Sequence, residues 1–203
     1  MPAFSYRTIQ AAARGMYKEK GSKFLAFAYP VTTDAEIKDV MAALKKEYFD
    51  ARHHCFAWVL GADKKSFRTF DDGEPNHSAG DPIFGQIRAK DLTNILVVVV
   101  RYFGGTKLGV GGLISAYKQA AEDAISQAVV IEMQVSVQMK LSYHYNATPE
   151  IMRLVKAFEL TIIEQRFEED CILTVEFDLI HKELILDKIK LLKAMGVEVN
   201  IIE

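Results

Sequence analysis

Three short stretches of this chain hold residue types that can do chemistry. In RYFGGTKLGVGGL, residues 101–113, five glycines (Gly104, Gly105, Gly109, Gly111 and Gly112) are flanked or interleaved by the cations Arg101 and Lys107. Glycine lets backbone N–H groups approach a ligand closely. A helix beginning directly after such a loop adds unpaired N–H donors and a partial positive charge. Together these suit an anion, such as a phosphate of a nucleotide or of RNA. The same glycines would also serve a tight strand-to-helix connection. The spacing is neither that of a Walker A loop nor that of a dinucleotide fingerprint.

The second stretch is DDGEPNHSAGDP, residues 71–82. Its carboxylates Asp71, Asp72 and Glu74, with His77, are of a kind that binds divalent metals, and Asp72 or Glu74 has the chemistry of a general base. The alternative is a polar loop held by Asx-turns, with Ser78 or Asp81 capping the next helix. The spacing matches neither an EF-hand nor HExxH, and no metal and no cofactor is expected. The third stretch is Arg52-His53-His54-Cys55 at the start of a strand. Adjacent strand residues point to opposite faces, so the two histidines do not meet one metal. His53 and Cys55 share a face and could pair as imidazole and thiol. The preferred reading is structural, with Arg52 and His54 at the surface.

Periodicity supplies the elements that must position these stretches. Residues 24–31, 55–60 and 66–70 read as strands, 33–48 as a helix opened by Thr33-Asp34, and 82–90 as a short helix. Residues 94–102 are a near-continuous β-branched run, expected to be a strand buried on both faces. Residues 113–129 read as a long helix with Leu113, Tyr117, Ala120, Ala121, Ala124 and Ile125 inward. After it, residues 135–143, 161–167, 172–179 and 197–202 read as strands. Helices are expected from Pro149, with Thr148 as N-cap, and over 183–195. The latter should bury Leu184, Ile185, Ile189, Leu192 and Met195 and end at Gly196. The acidic turn Glu168-Glu169-Asp170 separates two of the strands. This βαββαβ order is the ferredoxin-like pattern.

The chain has 203 residues and a net charge of −2. Residues 1–130 carry 17 Lys/Arg against 14 Asp/Glu, whereas 131–203 carry 8 against 13. All glycines but Gly196 precede residue 113. A mildly basic, turn-rich first domain (1–132) and an acidic, regular second one (133–203) are expected, in the α+β class. Nucleic-acid binding would need a local patch, because bulk charge does not supply it. Cys55 and Cys171 are read as reduced core thiols, with one long-range disulfide as the alternative. The first ten residues lack an apolar signal region, and the longest strongly apolar run, 95–100, is far short of a membrane span of roughly 20 residues. A cytoplasmic protein is expected.

Together the stretches Gly21-Ser22-Lys23-Phe24, Arg52-His53-His54-Cys55, Asp71-Asp72-Gly73-Glu74-Pro75, Ala79-Gly80-Asp81-Pro82-Ile83 and residues 97–113 resemble the IMPACT/YigZ family. The run Asn76-His77-Ser78 departs from the family's usual pattern. The resemblance implies a first domain like domain IV of elongation factor G and a second like its domains III and V. It also implies association with RNA or the ribosome, in a family whose eukaryotic members regulate translation.

On this reading the chain is a translation-linked factor, non-catalytic or weakly catalytic. Arg52, Arg101, Lys107 and the glycine loop would meet RNA phosphates, and the second domain would mainly dock a protein surface or orient the first. Tyr102 and Phe103 are read as core residues, able to stack on RNA only if exposed. The rival reading is an enzyme for a phosphorylated small molecule. There the glycine loop would hold the phosphate, and Asp72, Glu74 or His54 would act as acid or base.

Overall fold

The computed structural model describes residues 4–167 and 170–202. The chain forms two compact units, one reaching to Met133 and the other beginning at Gln134. The first runs β1 (Ser5–Ile9), β2 (Ala13–Glu19), β3 (Ser22–Pro30), α1 (Asp34–Glu47), β4 (His53–Leu60), β5 (Ser66–Phe70), α2 (Gly80–Ala89), β6 (Ile95–Tyr102), α3 (Gly109–Ser126) and β7 (Val130–Gln134). Its main sheet has the order β2-β3-β6-β4-β5, with every neighbouring pair antiparallel. β1 and β7 form a separate two-stranded sheet.

Strand alternation divides the core into two layers. Ile95, Val97 and Val99 of β6, with Cys55, Ala57 and Val59 of β4, pack against α2 and α3. Leu96, Val98 and Val100, with Trp58 and Leu60, pack against α1 through Ile37 and Leu44. β6 is thus buried on both faces, as its apolar run requires, although its partners are antiparallel. α1 opens with a capping box: Thr33 Oγ1 accepts from the Glu36 amide, and the Glu36 carboxylate accepts from the Thr33 amide.

Several boundaries differ from the periodicity. α3 begins at Gly109, so Gly109, Gly111 and Gly112 form its first turn and do not belong to a preceding loop, and it ends at Ser126. β1, β2 and β7 carry weak apolar signals and were not expected. β2 turns Gly15 toward α3, where an added Cβ would stand 2.3 Å from the Ala124 amide nitrogen, so small size replaces hydrophobicity on its inner side. Lys20 and Gly21, both at positive φ, make the two-residue turn into β3.

The second unit contains β8 (Ser136–Tyr143), α4 (Thr148–Ala157), β9 (Thr161–Phe167), β10 (Cys171–Asp178), α5 (Lys182–Ala194) and β11 (Val199–Ile202). The order β11-β8-β10-β9 is the ferredoxin-like arrangement. Met139, Leu141 and Tyr143 of β8 share a face with Cys171, Leu173 and Val175 of β10, packed on Ile151 and Leu154 of α4 and Ile185, Ile189 and Leu192 of α5. Thr148 is not the N-cap of α4. It lies inside the helix after a 3₁₀ turn, and its hydroxyl donates to the Tyr145 carbonyl (2.6 Å). Leu184 and Met195, expected inside, are exposed. Glu168 and Glu169 of the expected acidic turn lie outside the described residues. Cys55 and Cys171 are free, buried thiols in different units. Among the described residues no helix is long and apolar enough to cross a membrane.

Candidate functional site

All three chemistry-bearing stretches come together at one end of the first sheet. β4 and β6 run antiparallel with His53 opposite Arg101. By alternation both side chains fall on the α2–α3 side, like Cys55 and Val99. The loop after β5 is fastened to the start of β4. The His54 amide donates to Asp72 Oδ2 (2.7 Å), His53 Nδ1 donates to the Asp72 carbonyl (2.8 Å), and the Cys55 thiol donates to the Asp71 carbonyl (3.0 Å).

The loop acids have separate structural partners. Asp71 Oδ1 accepts from the amides of Ala79 and Gly80 (3.0 and 2.8 Å), and its Oδ2 accepts from the His77 amide (2.9 Å). Asp71 therefore caps α2 from a distance, a role expected of Ser78 or Asp81. Ser78 instead donates to the Pro75 carbonyl, and Asp81 pairs with the exposed His77 ring at 2.6 Å. Among the described residues no three His, Cys, Asp or Glu side chains converge as metal ligands.

Glu74 and Arg101 form a buried ion pair, Nη1 to Oε1 at 2.6 Å. The Tyr117 hydroxyl donates to the same carboxylate oxygen (2.7 Å), and its oxygen lies 3.3 Å from the Cys55 sulfur. The Arg101 guanidinium also lies over the rings of Phe24 and Phe103. This corrects the picture of Arg101 as a surface cation: its side chain is only 8% exposed, and its charge is balanced by Glu74. Arg101 Nε is buried without a hydrogen-bond partner among the described residues. Burial pushes the Cys55 and Tyr117 pKa values well above their usual ranges, so neither is a nucleophile at neutral pH. The alternative pairing of Cys55 with His53 does not form: the thiol lies against the Asp71 carbonyl and the Tyr117 oxygen, and His53 Nδ1 is held by the Asp72 carbonyl. His54, expected at the surface, is buried beneath the α1 layer, its pKa lowered mainly by that burial. It cannot serve as an accessible acid or base.

Above the Glu74–Arg101 pair opens a cleft of about 690 Å³. Arg52, His53, Phe103 and Lys107 line it, together with Asp50 and the first turn of α3 at Gly109 and Val110. Neither Arg52 nor Lys107 forms an ion pair with another described residue, and both are exposed. Asp50 accepts from the Tyr102 hydroxyl (2.7 Å), and that bond, with some burial, pushes the phenol pKa up to about 12. Tyr102, read as a core residue, is only half-buried, packed at the margin of the α1-side core. Phe103 is not a core residue: it is 55% exposed. α3 has no side-chain cap and no acid in its first turn, so none of its own side chains offsets the positive end that borders the cleft.

The glycines have different reasons. An added Cβ on Gly104 would stand 1.9 Å from the Gly21 carbonyl carbon, so this residue is fixed by close packing on the β2–β3 turn. Gly105 needs its positive φ of 87°. Around Gly111 there is open space. Sequence reasoning missed Tyr117 as a site residue. Its signal was a single hydroxyl on an alanine-rich helix face of Ala116, Ala120, Ala121 and Ala124.

The fold and this arrangement define a two-unit α+β protein whose first unit builds a cationic cleft from three separated stretches. Residues 20–125 match the family described as the Impact N-terminal domain. The chain is 30% identical to IMPACT family member YvyE of Bacillus subtilis, over 86% of this chain and 78% of that one. It is 32% identical to IMPACT family member YigZ of Escherichia coli, over 77% and 78%. A crystal structure of a hypothetical protein superposes with a TM-score of 0.79 at 28% identity, covering 99% of this chain and 98% of that one. The chain belongs to the IMPACT family.

Proposed function

We propose that this protein is a translation-linked regulatory factor that works in the cytoplasm and binds RNA or the ribosome through the cleft of its first unit. The reading is carried by one juxtaposition: two exposed cations with no ion-pair partner among the described residues, Arg52 and Lys107, beside the uncapped start of α3. Phosphate oxygens are the ligands such groups suit, by charge and by N–H donation. Phe103 adds an exposed ring at the wall, on which a base can stack. Arg101 and Glu74 hold the floor in place and make no direct phosphate contact in this reading. Family membership supports the translational context.

The test is filter binding of an rRNA and tRNA mixture to wild-type protein and to Arg52→Ala/Lys107→Ala. Loss of two phosphate contacts should weaken binding at least tenfold and flatten the salt dependence, the slope of log K against log salt falling by about 1.5. Equal affinity and slope in the double variant would remove the cleft from the reading.

A small phosphorylated molecule as the true ligand is the second reading, favoured by the cleft volume of about 690 Å³, which falls in the range of small-molecule sites. It predicts saturable thermal stabilisation by one nucleotide or sugar phosphate and no salt-sensitive RNA binding.

A further inference from the structure

The end of the first sheet that carries the cleft holds further cations. Register places Lys18 of β2 directly opposite Lys23 of β3, and Lys23 directly opposite Tyr102 of β6. His53 faces Arg101, so Arg52, one residue ahead of β4, stands at the level of Tyr102. Lys18, Lys23, Tyr102 and Arg52 thus form one row across the end of the sheet, with neighbours about 4.8 Å apart. Lys18 and Lys23 are exposed, and neither forms an ion pair with another described residue. The acids beside the row are engaged by tyrosines: Glu19 accepts from the Tyr17 hydroxyl (3.0 Å) and Asp50 from that of Tyr102 (2.7 Å). The β2–β3 hairpin is also fastened to the glycine stretch, because the Gly104 amide donates to Ser22 Oγ (3.1 Å).

Like charges directly opposite each other weaken a ladder. An edge strand can carry lysine to block pairing with another chain, which accounts for Lys18 on β2. It does not account for Lys23, whose strand is paired on both sides. We propose that the Lys18–Lys23 pair continues the cleft as a second phosphate contact, so that one RNA strand runs from Lys107 and Arg52 past Tyr102 to the β2–β3 hairpin. This rests on the reading of the cleft as an RNA site and extends that site to a track. A phosphate between the two ammonium groups turns their repulsion into attraction. Lys18 and Arg52 lie three strand spacings apart, roughly 14 Å, a separation that a single phosphate does not bridge. The row therefore fits a polymer, whereas a small phosphorylated molecule would fill the cleft and leave the lysines unpaired. Contacts of this kind fix the position of the strand and carry no base preference.

Filter binding of the rRNA and tRNA mixture to double variants of the full chain tests this. Lys18→Gln/Lys23→Gln should lower the slope of log K against log salt by about 1.5 and weaken binding at least tenfold, as Arg52→Ala/Lys107→Ala should. Lys38→Gln/Lys90→Gln, at exposed positions toward the other end of the sheet, should stay within about twofold of wild type. A second readout needs no RNA. Lys18→Glu places opposite charges across the ladder, so at low salt it should raise the thermal midpoint by about 1–4 °C while weakening RNA binding. That gain should vanish in a Lys23→Gln background. Wild-type binding by Lys18→Gln/Lys23→Gln, with Arg52→Ala/Lys107→Ala weakened, would overturn the track and leave the cleft reading standing. Wild-type binding by both would overturn both. Equal loss in Lys38→Gln/Lys90→Gln would overturn the track by showing that the RNA contact is diffuse. An unchanged midpoint in Lys18→Glu would overturn it by showing that the two lysines do not face each other.

Discussion

At the scale of the residue, the main finding is that the charges a sequence reader would assign to ligand binding have two different jobs. Arg101 and Glu74 are buried and paired, with Tyr117 as a second donor to the carboxylate. Removing one partner strands a buried charge, which costs about 3–5 kcal/mol. Glu74→Ala should therefore lower the urea-unfolding free energy by about that much, whereas exposed Lys107→Ala should change it by less than about 0.5 kcal/mol. Equal stabilities would show that the pair is not buried in solution. His54 gives a second prediction. Burial lowers its folded pKa, so the unfolded chain binds more protons as pH falls through the unpaired histidine value near 6.5. Stability contributed by neutral His54 is present above that value and declines below it. Thermal midpoints of wild type should drop between about pH 7.5 and 5.5, and those of His54→Leu should drop less. Parallel curves would contradict the assignment.

At the scale of the element, the glycines of residues 104–112 separate into packing and open positions. Gly104→Ala has nowhere to place its methyl against the Gly21–Ser22 backbone and should strongly destabilise the fold. Gly111→Ala, inside the first turn of α3 with open space around it, should raise stability by about 0.5–1 kcal/mol. Chemical denaturation of the two variants reads both signs, and a destabilised Gly111→Ala would show that α3 starts later than described. Elements with a strong apolar period were legible in the sequence: β6 from its valine run, α1 from its Thr33 cap, and the second unit from its alternation. β2 was not, because its inner residues are Ala13, Gly15 and Tyr17, chosen to let α3 approach. The start of α3 was misplaced because a glycine-rich first turn looks like a loop to any propensity argument. The exposed face of α5 was misread because an amphipathic helix with apolar residues on two sides hides which side is buried.

At the scale of the whole molecule, the three motif stretches were visible in the chain, but their meeting point was not. It depends on the register that sets His53 beside Arg101 and on the hydrogen bonds that fold the Asp71–Ala79 loop onto β4. The hydrophobic pattern specifies register only jointly with a partner strand, and here the partners and the loop's anchors lie far apart in sequence, so no single stretch reveals the meeting point. The resulting cleft joins a neutralised floor to a cationic rim, which suits reversible, salt-sensitive contact with a polyanion. The most direct measurement is sedimentation of lysate through sucrose gradients at low and high salt, with wild type and Arg52→Ala/Lys107→Ala compared. Wild type should travel with ribosomal particles at low salt and leave them at high salt, and the double variant should remain at the top under both conditions. Wild type at the top of the gradient at low salt, or a double variant that co-migrates as wild type does, would contradict a ribosome-binding role for the cleft.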